Sequence, residues 1–195
     1  MDQNKRDRDA MAGALQLAWQ RLGRTAPNPA VGCAIYTGPL VAAVGATGIG
    51  GRPHAEEVAL EAAGAYAAGG TVYVTLEPCA ERSAGTPSCT SRLIAAKVRR
   101  VVIATPDPHP LAGGRGIDLL EAAGIQVDIG VCEDEALRLN RGFFTRVATG
   151  RPMIVVAHDD PFAEAEFDLK SGETYAAALD RFGAAGVNRV HVRAD

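Results

Sequence analysis

Pro53-His-Ala-Glu56 opens an alanine-rich run, Thr71-Val-Tyr-Val-Thr-Leu76 follows it, and Glu77-Pro-Cys79 and Cys89 come next. Proline immediately before good helix formers marks a helix start, so 54–68 reads as a helix. The run TVYVTL is short, β-branched and without polar alternation, the pattern of a buried strand. Pro78 ends it. Cys89 then opens a second apparent helix, 90–96. Helix, buried strand, helix is the repeating unit of an α/β layer structure.

The flanking sequence extends this pattern in both directions. Asp9 to Leu22 has helical spacing, with Met11, Leu15, Ala18 and Leu22 on one stripe. Thr25-Ala-Pro-Asn-Pro29 is a loop. Val31 to Tyr36 and Leu40 to Val44 read as paired strands joined at Thr37-Gly-Pro39. The glycine-rich loop Gly45 to Arg52 lacks the order of a phosphate-binding fingerprint and reads as a substrate-side loop. Downstream, Arg100 to Ala104 is a strand and Asp107-Pro-His-Pro110 a loop. Gly116 to Ala123 is a helix, Ile125 to Ile129 a strand, and Glu133 to Ala148 a single helix. The expectation is a three-layer α/β/α sandwich with a mixed central sheet of about five strands.

Gly150-Arg-Pro152 marks a boundary between a domain at 1–150 and a short extension at 151–195. The extension carries a strand at IVVA, a helix at 173–184 and a strand at 187–192. It is too small for an independent dinucleotide-binding domain and is expected to pack on the main domain or on a partner subunit.

The chain has 195 residues, 47% of them hydrophobic, and a net charge of -3. That is enough apolar material for a full core. The absence of a basic run argues against a nucleic-acid partner. No apolar stretch is long enough to span a bilayer, the N-terminus is polar, and four unevenly spaced cysteines do not make a disulfide scaffold. The cytoplasm is the expected compartment.

The chemistry-bearing residues are His54, Glu56, Cys79 and Cys89. One imidazole and two thiolates are a ligand set for Zn²⁺, and a catalytic zinc site takes three protein ligands and keeps a fourth position open. A structural site wants four ligands, and only three cluster here. Two thiolates neutralise the dication, so its water is acidified less than in an all-histidine site and needs a nearby base. Glu56, not a ligand, is that base. The order His-x-Glu, then Pro-Cys, then Cys is that of zinc-dependent nucleobase deaminases, whose signature is H-x-E followed by P-C-x-x-C. Here nine residues separate the cysteines instead of two.

The chain resembles the deaminase domain of the bifunctional riboflavin-biosynthesis deaminase-reductase. The matching stretches run in order from about residue 10 to 152: Thr25-Ala-Pro-Asn-Pro-Ala-Val-Gly-Cys33, Pro53-His-Ala-Glu56, Tyr73-Val-Thr-Leu-Glu-Pro-Cys79, Thr86-Pro-Ser-Cys89, Arg100-Val-Val-Ile-Ala104 with Asp107-Pro108, Gly114-Arg-Gly116, and Leu139-Asn-Arg-Gly-Phe143. The long gap between cysteines is shared with that family to within one residue. The resemblance implies a cytidine-deaminase-like fold, a zinc cofactor and hydrolytic deamination of a diaminopyrimidinone ribosylamine 5′-phosphate. It implies a homodimer, and it makes Asn28, Ala55, Thr86, Asp107 and Arg115 candidate substrate contacts. Asn28 and Asp107 read equally well as turn residues. Cys33 and Cys132 read as core or structural, and His109, His158 and His191 show no ligand pattern.

The departures fall in the loops. The family's cysteine loop carries a histidine and a Gly-Arg-Thr core; here it reads Cys79-Ala-Glu-Arg-Ser-Ala-Gly-Thr-Pro-Ser-Cys89. Thr47 stands where the family has histidine, and Leu111 where it has lysine. Leucine cannot hold a phosphate, so Arg82 or Arg115 would have to take over. A second expectation is therefore the same chemistry on another pyrimidine, pterin or purine. A third is a non-catalytic paralogue, against which the intact ligand set and Glu56 argue. Most of the reductase domain has no counterpart, although Gly183-Ala-Ala-Gly-Val-Asn-Arg-Val faintly resembles one of its helix-strand segments. No NADPH site is expected.

Overall fold

The computed structural model describes residues 2–82, 85–108 and 113–194; His109 and Leu111 lie outside them. Its central sheet has five strands: β1 (Gly32–Thr37), β2 (Leu40–Ala46), β3 (Thr71–Val74), β4 (Arg100–Ile103) and β5 (Gln126–Ile129). Their order is β2-β1-β3-β4-β5. β1 runs antiparallel to β2 and β3, and β3, β4 and β5 run parallel, so the sheet is mixed as expected.

Side-chain alternation along each strand divides the core in two. Ala34, Tyr73 and Val102 face α1 (Gln3–Trp19) and α5 (Glu133–Leu139) and pack with Met11, Leu15 and Leu139. Ile35, Val74 and Ile103 face α2 (Ala55–Ala63), α3 (Cys89–Ala95) and α4 (Arg115–Ala122) and pack with Ala59, Leu93 and Leu120. This is a three-layer α/β/α sandwich. The parallel strands end at one edge, where α2 and α3 begin, so the loops carrying residues 75–79 and 104–108 open there, as is usual for sites in open α/β sheets.

Beyond α6 (Arg141–Thr149) lies a second, three-stranded parallel sheet of β6 (Met153–Ala157), β7 (Ala165–Glu166) and β8 (Arg189–Arg193), in the order β6-β8-β7, with α7 (Tyr175–Ala184) crossing over between β7 and β8.

The largest differences from the sequence reading are in the helices, and the two-residue strand β7 was not expected. α1 begins at Gln3 rather than Asp9, because Asp2 caps it by accepting from the Asn4 N–H. α2 stops at Ala63 and passes into a 3₁₀ turn at Gly64–Ala67. The helix expected over 133–148 is two helices broken at Asn140, whose buried amide leaves the helix to accept from the Ala30 N–H at 2.9 Å and donate to the Ala30 carbonyl at 2.8 Å.

α1 is locked to the sheet by a buried carboxylate. Asp7 accepts from both Arg100 Nη atoms at 2.8 Å and from the Tyr73 hydroxyl at 2.7 Å. The Arg100 guanidinium is the main cause that lowers the Asp7 pKa from 3.8 to about 2. A carboxyl whose folded pKa is depressed stabilises the fold above its unfolded pKa, and that contribution disappears as pH falls through the folded value. Asp7→Asn should therefore cost about 2 kcal/mol of pH-dependent stability at pH 7. The difference from wild type in urea unfolding should shrink between about pH 4 and pH 2; a pH-independent difference would refute the linkage.

Candidate active site

His54 is the N-cap residue of α2, with extended backbone at φ -73°, ψ 158°. It therefore lies outside the helical register, which is how His54 and Glu56, two residues apart, serve one site. The His54 backbone N–H donates to Glu57 Oε2 at 2.9 Å, the return arm of a capping box. Glu57 in turn is held by Arg82 in a two-pronged ion pair, with Nη1 to Oε1 at 2.9 Å and Nη2 to Oε2 at 2.5 Å. Arg92 Nη2 also lies 3.3 Å from Glu57 Oε1. The Arg82 guanidinium is the main cause holding the Glu57 pKa at about 2.

Cys79 follows the end of β3, and Cys89 is the first residue of α3, capped by the Ser88 hydroxyl accepting from the Ser91 N–H at 3.1 Å. The Cys89 backbone N–H points at Cys79 Sγ, 3.3 Å away. Cys79 Sγ is 3.7 Å and Cys89 Sγ 3.4 Å from His54 Nδ1. All three donor atoms lie within 4.8 Å of one another, the one such group among the described residues. Tetrahedral zinc, with Zn–S near 2.3 Å and Zn–N near 2.0 Å, sets S···N separations of about 3.5 Å. The donor set and its spacing fit that ion.

The two neighbouring thiols compete for one proton. The hydrogen bond from Cys89 holds the Cys79 pKa down, and that same bond, with burial, pushes the Cys89 pKa up. A dication between them would resolve the conflict by stabilising both thiolates. Cys33, in β1 behind the site, is fully buried and is pushed up by burial and by the nearby Glu56. All four cysteines are free thiols.

Glu56 is 3% exposed, and burial pushes its pKa up to about 7. It lines a cavity of about 190 Å³ together with His54, Cys79, Asn28, Asp107 and Phe143. Gly51 also lines it, with φ at +86°, and a Cβ there would lie 2.1 Å from Asn28 Nδ2. Glycine is thus needed both for the backbone conformation and for the approach of Asn28, which donates to the Gly51 carbonyl at 3.3 Å.

Of the residues singled out from the sequence, Asn28, His54, Glu56, Cys79 and Asp107 lie on the cavity wall, and Cys89 is buried beside it. Ala55 is fully buried in the first turn of α2. Thr86 is exposed and away from the wall, and Arg115 is exposed and ion-paired with Glu81. Thr47 is buried and committed, its hydroxyl accepting from the Val31 N–H at 2.9 Å.

Glu77 and Phe143 also line the wall and had no assigned role in the sequence reading. Glu77 is a buried carboxylate that accepts from the N–H groups of Asp107 (3.1 Å), Gly114 (2.9 Å) and Gly116 (2.9 Å), so it ties the loop after β4 to the start of α4. Phe143, from α6, is an aromatic face on the cavity. Both stand in stretches that carry the family resemblance, which was the available signal.

Comparisons with known proteins agree with this geometry. The model of the cytidine and deoxycytidylate deaminase zinc-binding region matches residues 4–105, and the chain belongs to this deaminase family. Among its relatives, riboflavin biosynthesis protein RibD of Aquifex aeolicus is 47% identical over 150 residues, which are 77% of this chain and 42% of that protein. The structure of Acinetobacter baumannii RibD (form 2) superposes with a TM-score of 0.76 at 43% identity, over 85% of this chain and 45% of that one. The chain thus spans less than half the length of these relatives. A Thermotoga maritima diaminohydroxyphosphoribosylaminopyrimidine deaminase/5-amino-6-(5-phosphoribosylamino)uracil reductase superposes over 99% of this chain and 82% of its own, with a TM-score of 0.88. At 22% identity that likeness shows a shared fold, including the region of β6–β8.

Proposed function

We propose that this chain deaminates a diaminopyrimidinone ribosylamine 5′-phosphate, with His54, Cys79 and Cys89 holding zinc and Glu56 moving the protons. The observation that carries the reading is a buried, non-ligating carboxylate on the wall of a cavity whose floor is a ready zinc donor set. The riboflavin-biosynthesis relatives support the choice of substrate. Residues 1–150 form the deaminase unit in this reading, and 151–195 an extension of it.

Zinc bound there supplies Lewis-acid charge that makes water nucleophilic near neutral pH. The protein's own part is proton traffic and orientation. Glu56 takes a proton from the attacking water and delivers it to the adjacent ring nitrogen. It then takes the proton of the new C–OH group and passes it to the exocyclic amine, which leaves as ammonia while that carbon becomes a carbonyl. Asn28, fixed through its Nδ2, offers its Oδ1 to an N–H of the heterocycle. Phe143 covers a ring face, and Glu77 keeps the Asp107 loop in place.

A second reading is favoured by one observation. No Lys or Arg lines the cavity among the described residues. Arg82 is spoken for by Glu57 and Arg115 by Glu81. On this reading the substrate is another amino-heterocycle, a pyrimidine, pterin or purine, without a phosphate. The deciding measurement is kcat/KM for the phosphorylated aminopyrimidine ribosylamine against its dephosphorylated form. A preference of about tenfold or more for the phosphate, the size of one retained charged contact, supports the riboflavin reading; indifference supports the second. Arg82→Ala is expected to lower stability through Glu57 without changing that ratio.

Among the described residues no helix is long and apolar enough to cross a membrane. We place the enzyme in the cytoplasm, with a small molecule as its partner rather than nucleic acid, and as a homodimer. β2 is an edge strand with Leu40, Val41 and Val44 exposed, apolar surface that a second copy would cover. Light scattering at micromolar concentration should give twice the chain mass; a strict monomer refutes the dimer.

A further inference from the structure

The loop that carries Asn28 closes on itself as a turn, with the Asn28 N–H donating to the Thr25 carbonyl at 3.0 Å and the Thr25 hydroxyl donating to the Asn28 carbonyl at 3.0 Å. Pro27 and Pro29 flank Asn28 and have no N–H to donate. That turn leaves the Pro27 carbonyl, one residue before Asn28, to be held from outside the loop. The group that takes it is Arg146 on α6, whose Nη2 donates to the Pro27 carbonyl at 2.6 Å.

The same guanidinium makes two further contacts. Its Nε donates to Asn188 Oδ1 at 2.7 Å, and its Cζ lies 5.8 Å from the centroid of the Phe143 ring. Asn188 is 5% exposed and stands just before β8. Its backbone N–H donates to Glu164 Oε2 at 2.5 Å and its Nδ2 to Glu164 Oε1 at 3.2 Å. The Asn188 carbonyl accepts from the Met153 N–H at 2.9 Å, which ties the start of β6 into the same cluster.

Backbone packing repeats the link. Gly186, at φ +81°, sits so close that a Cβ would lie 2.7 Å from Pro27 Cβ. The Phe162 ring packs on Trp19 of α1 with centroids 5.9 Å apart. The segment after residue 152 is therefore joined to the catalytic layer at the loop behind Asn28 and at the turn bearing Phe143. Both of those residues line the active cavity.

We infer that Arg146 is a positioning residue: held by Asn188 and Glu164 of the C-terminal segment, it fixes the Pro27 carbonyl and the Phe143 ring, and through them the substrate-facing wall of the cavity. The C-terminal segment thereby serves substrate binding and does not merely cover apolar surface. The kinetic consequence rests on the deaminase reading; the coupling itself does not. Glu56, His54 and the two cysteines stand at α2, α3 and the loop after β3, whereas the hydrogen bonds of Arg146 go to Pro27 and Asn188. Loosening this network should weaken substrate binding and leave the chemical step nearly intact.

The test uses the full zinc-loaded chain and the aminopyrimidine ribosylamine 5′-phosphate. Arg146→Ala should raise KM about tenfold with kcat within about threefold of wild type and zinc content unchanged. Asn188→Ala, which keeps Arg146 but frees its far end, should raise KM by a smaller factor. Arg146→Lys keeps the charge but can reach one acceptor at a time, so it should recover part of the loss; it also carries the test if Arg146→Ala does not fold. Hydrogen exchange supplies a readout that needs no turnover. Amides of 24–30 and 142–146 should exchange faster in Arg146→Ala and Asn188→Ala, while those of β3 and α2 stay as in wild type. KM within twofold of wild type together with unchanged exchange at 24–30 overturns the proposal. So does a parallel fall of kcat and zinc content, which would mark Arg146 as a general structural residue. If wild type turns over no substrate offered while the exchange pattern still appears, the deaminase reading fails and the coupling stands.

Discussion

Glu56→Gln should keep its fold and its metal and lose turnover by about 10⁴-fold or more. A single general acid–base step is worth about 10²–10⁴-fold, and Glu56 is asked to act in three: proton removal from water, delivery to the ring nitrogen, and protonation of the amine. Glutamine preserves the shape and can hydrogen-bond, but it cannot carry a proton between those atoms. The scaffold has no reason to suffer. Glu56 is 3% exposed in the first turn of α2, and burying a carboxylate there is a cost that a neutral amide removes. Stability should be equal to wild type or slightly higher, the usual relation between an active-site charge and its host fold. Zinc content by elemental analysis, thermal unfolding and ammonia release should be read on one preparation. Turnover within about tenfold of wild type would take Glu56 out of the mechanism.

What was legible in the sequence, and what was not, follows a physical division. The strand TVYVTL, the alanine-rich helix after Pro53 and the cysteine at a helix start are local patterns, and local patterns name the α/β sandwich and its candidate ligands. Even the capping box is local: Glu57 stands three residues after His54. The features that local patterns could not show come from distant partners. Asn140 breaks the expected long helix because its amide is used by Ala30, 110 residues away. Asp7 sits inside α1, where a polar residue spoils the apolar stripe, and its reason is Arg100, 93 residues on. Arg82 and Arg115 looked like spare cations for a phosphate, but the carboxylates that hold them, Glu57 and Glu81, are identified by contact and not by spacing. The role of residues 153–194 was hidden for the same reason, because Arg146, Asn188 and Pro27 meet only in three dimensions.

Cys89→Ala should abolish activity by removing the metal, and the size of the effect on stability should depend on whether metal is present. Cys89 is fully buried, and its Sγ lies 3.4 Å from His54 Nδ1. Without it, one imidazole and one thiolate remain, too few for a catalytic zinc site. In the apo state the substitution removes one small, fully buried group, which costs about 1 kcal/mol. In the metal-loaded state the wild type gains in addition the free energy of a ligand that binds only the folded chain, about 4 kcal/mol at a free zinc concentration of 1,000 times Kd. Small zinc fingers unfold without metal because they have little other core. Here the donor set is mounted on a five-stranded sheet packed on both faces, so the apo protein should remain folded. Stripping wild type with a chelator should therefore lower its unfolding midpoint to near that of Cys89→Ala, and restoring zinc should separate the two again. A variant that retains one equivalent of zinc and measurable ammonia release would exclude Cys89 as a ligand. An apo wild type that is unfolded would show that the sheet depends on the metal it was expected to carry.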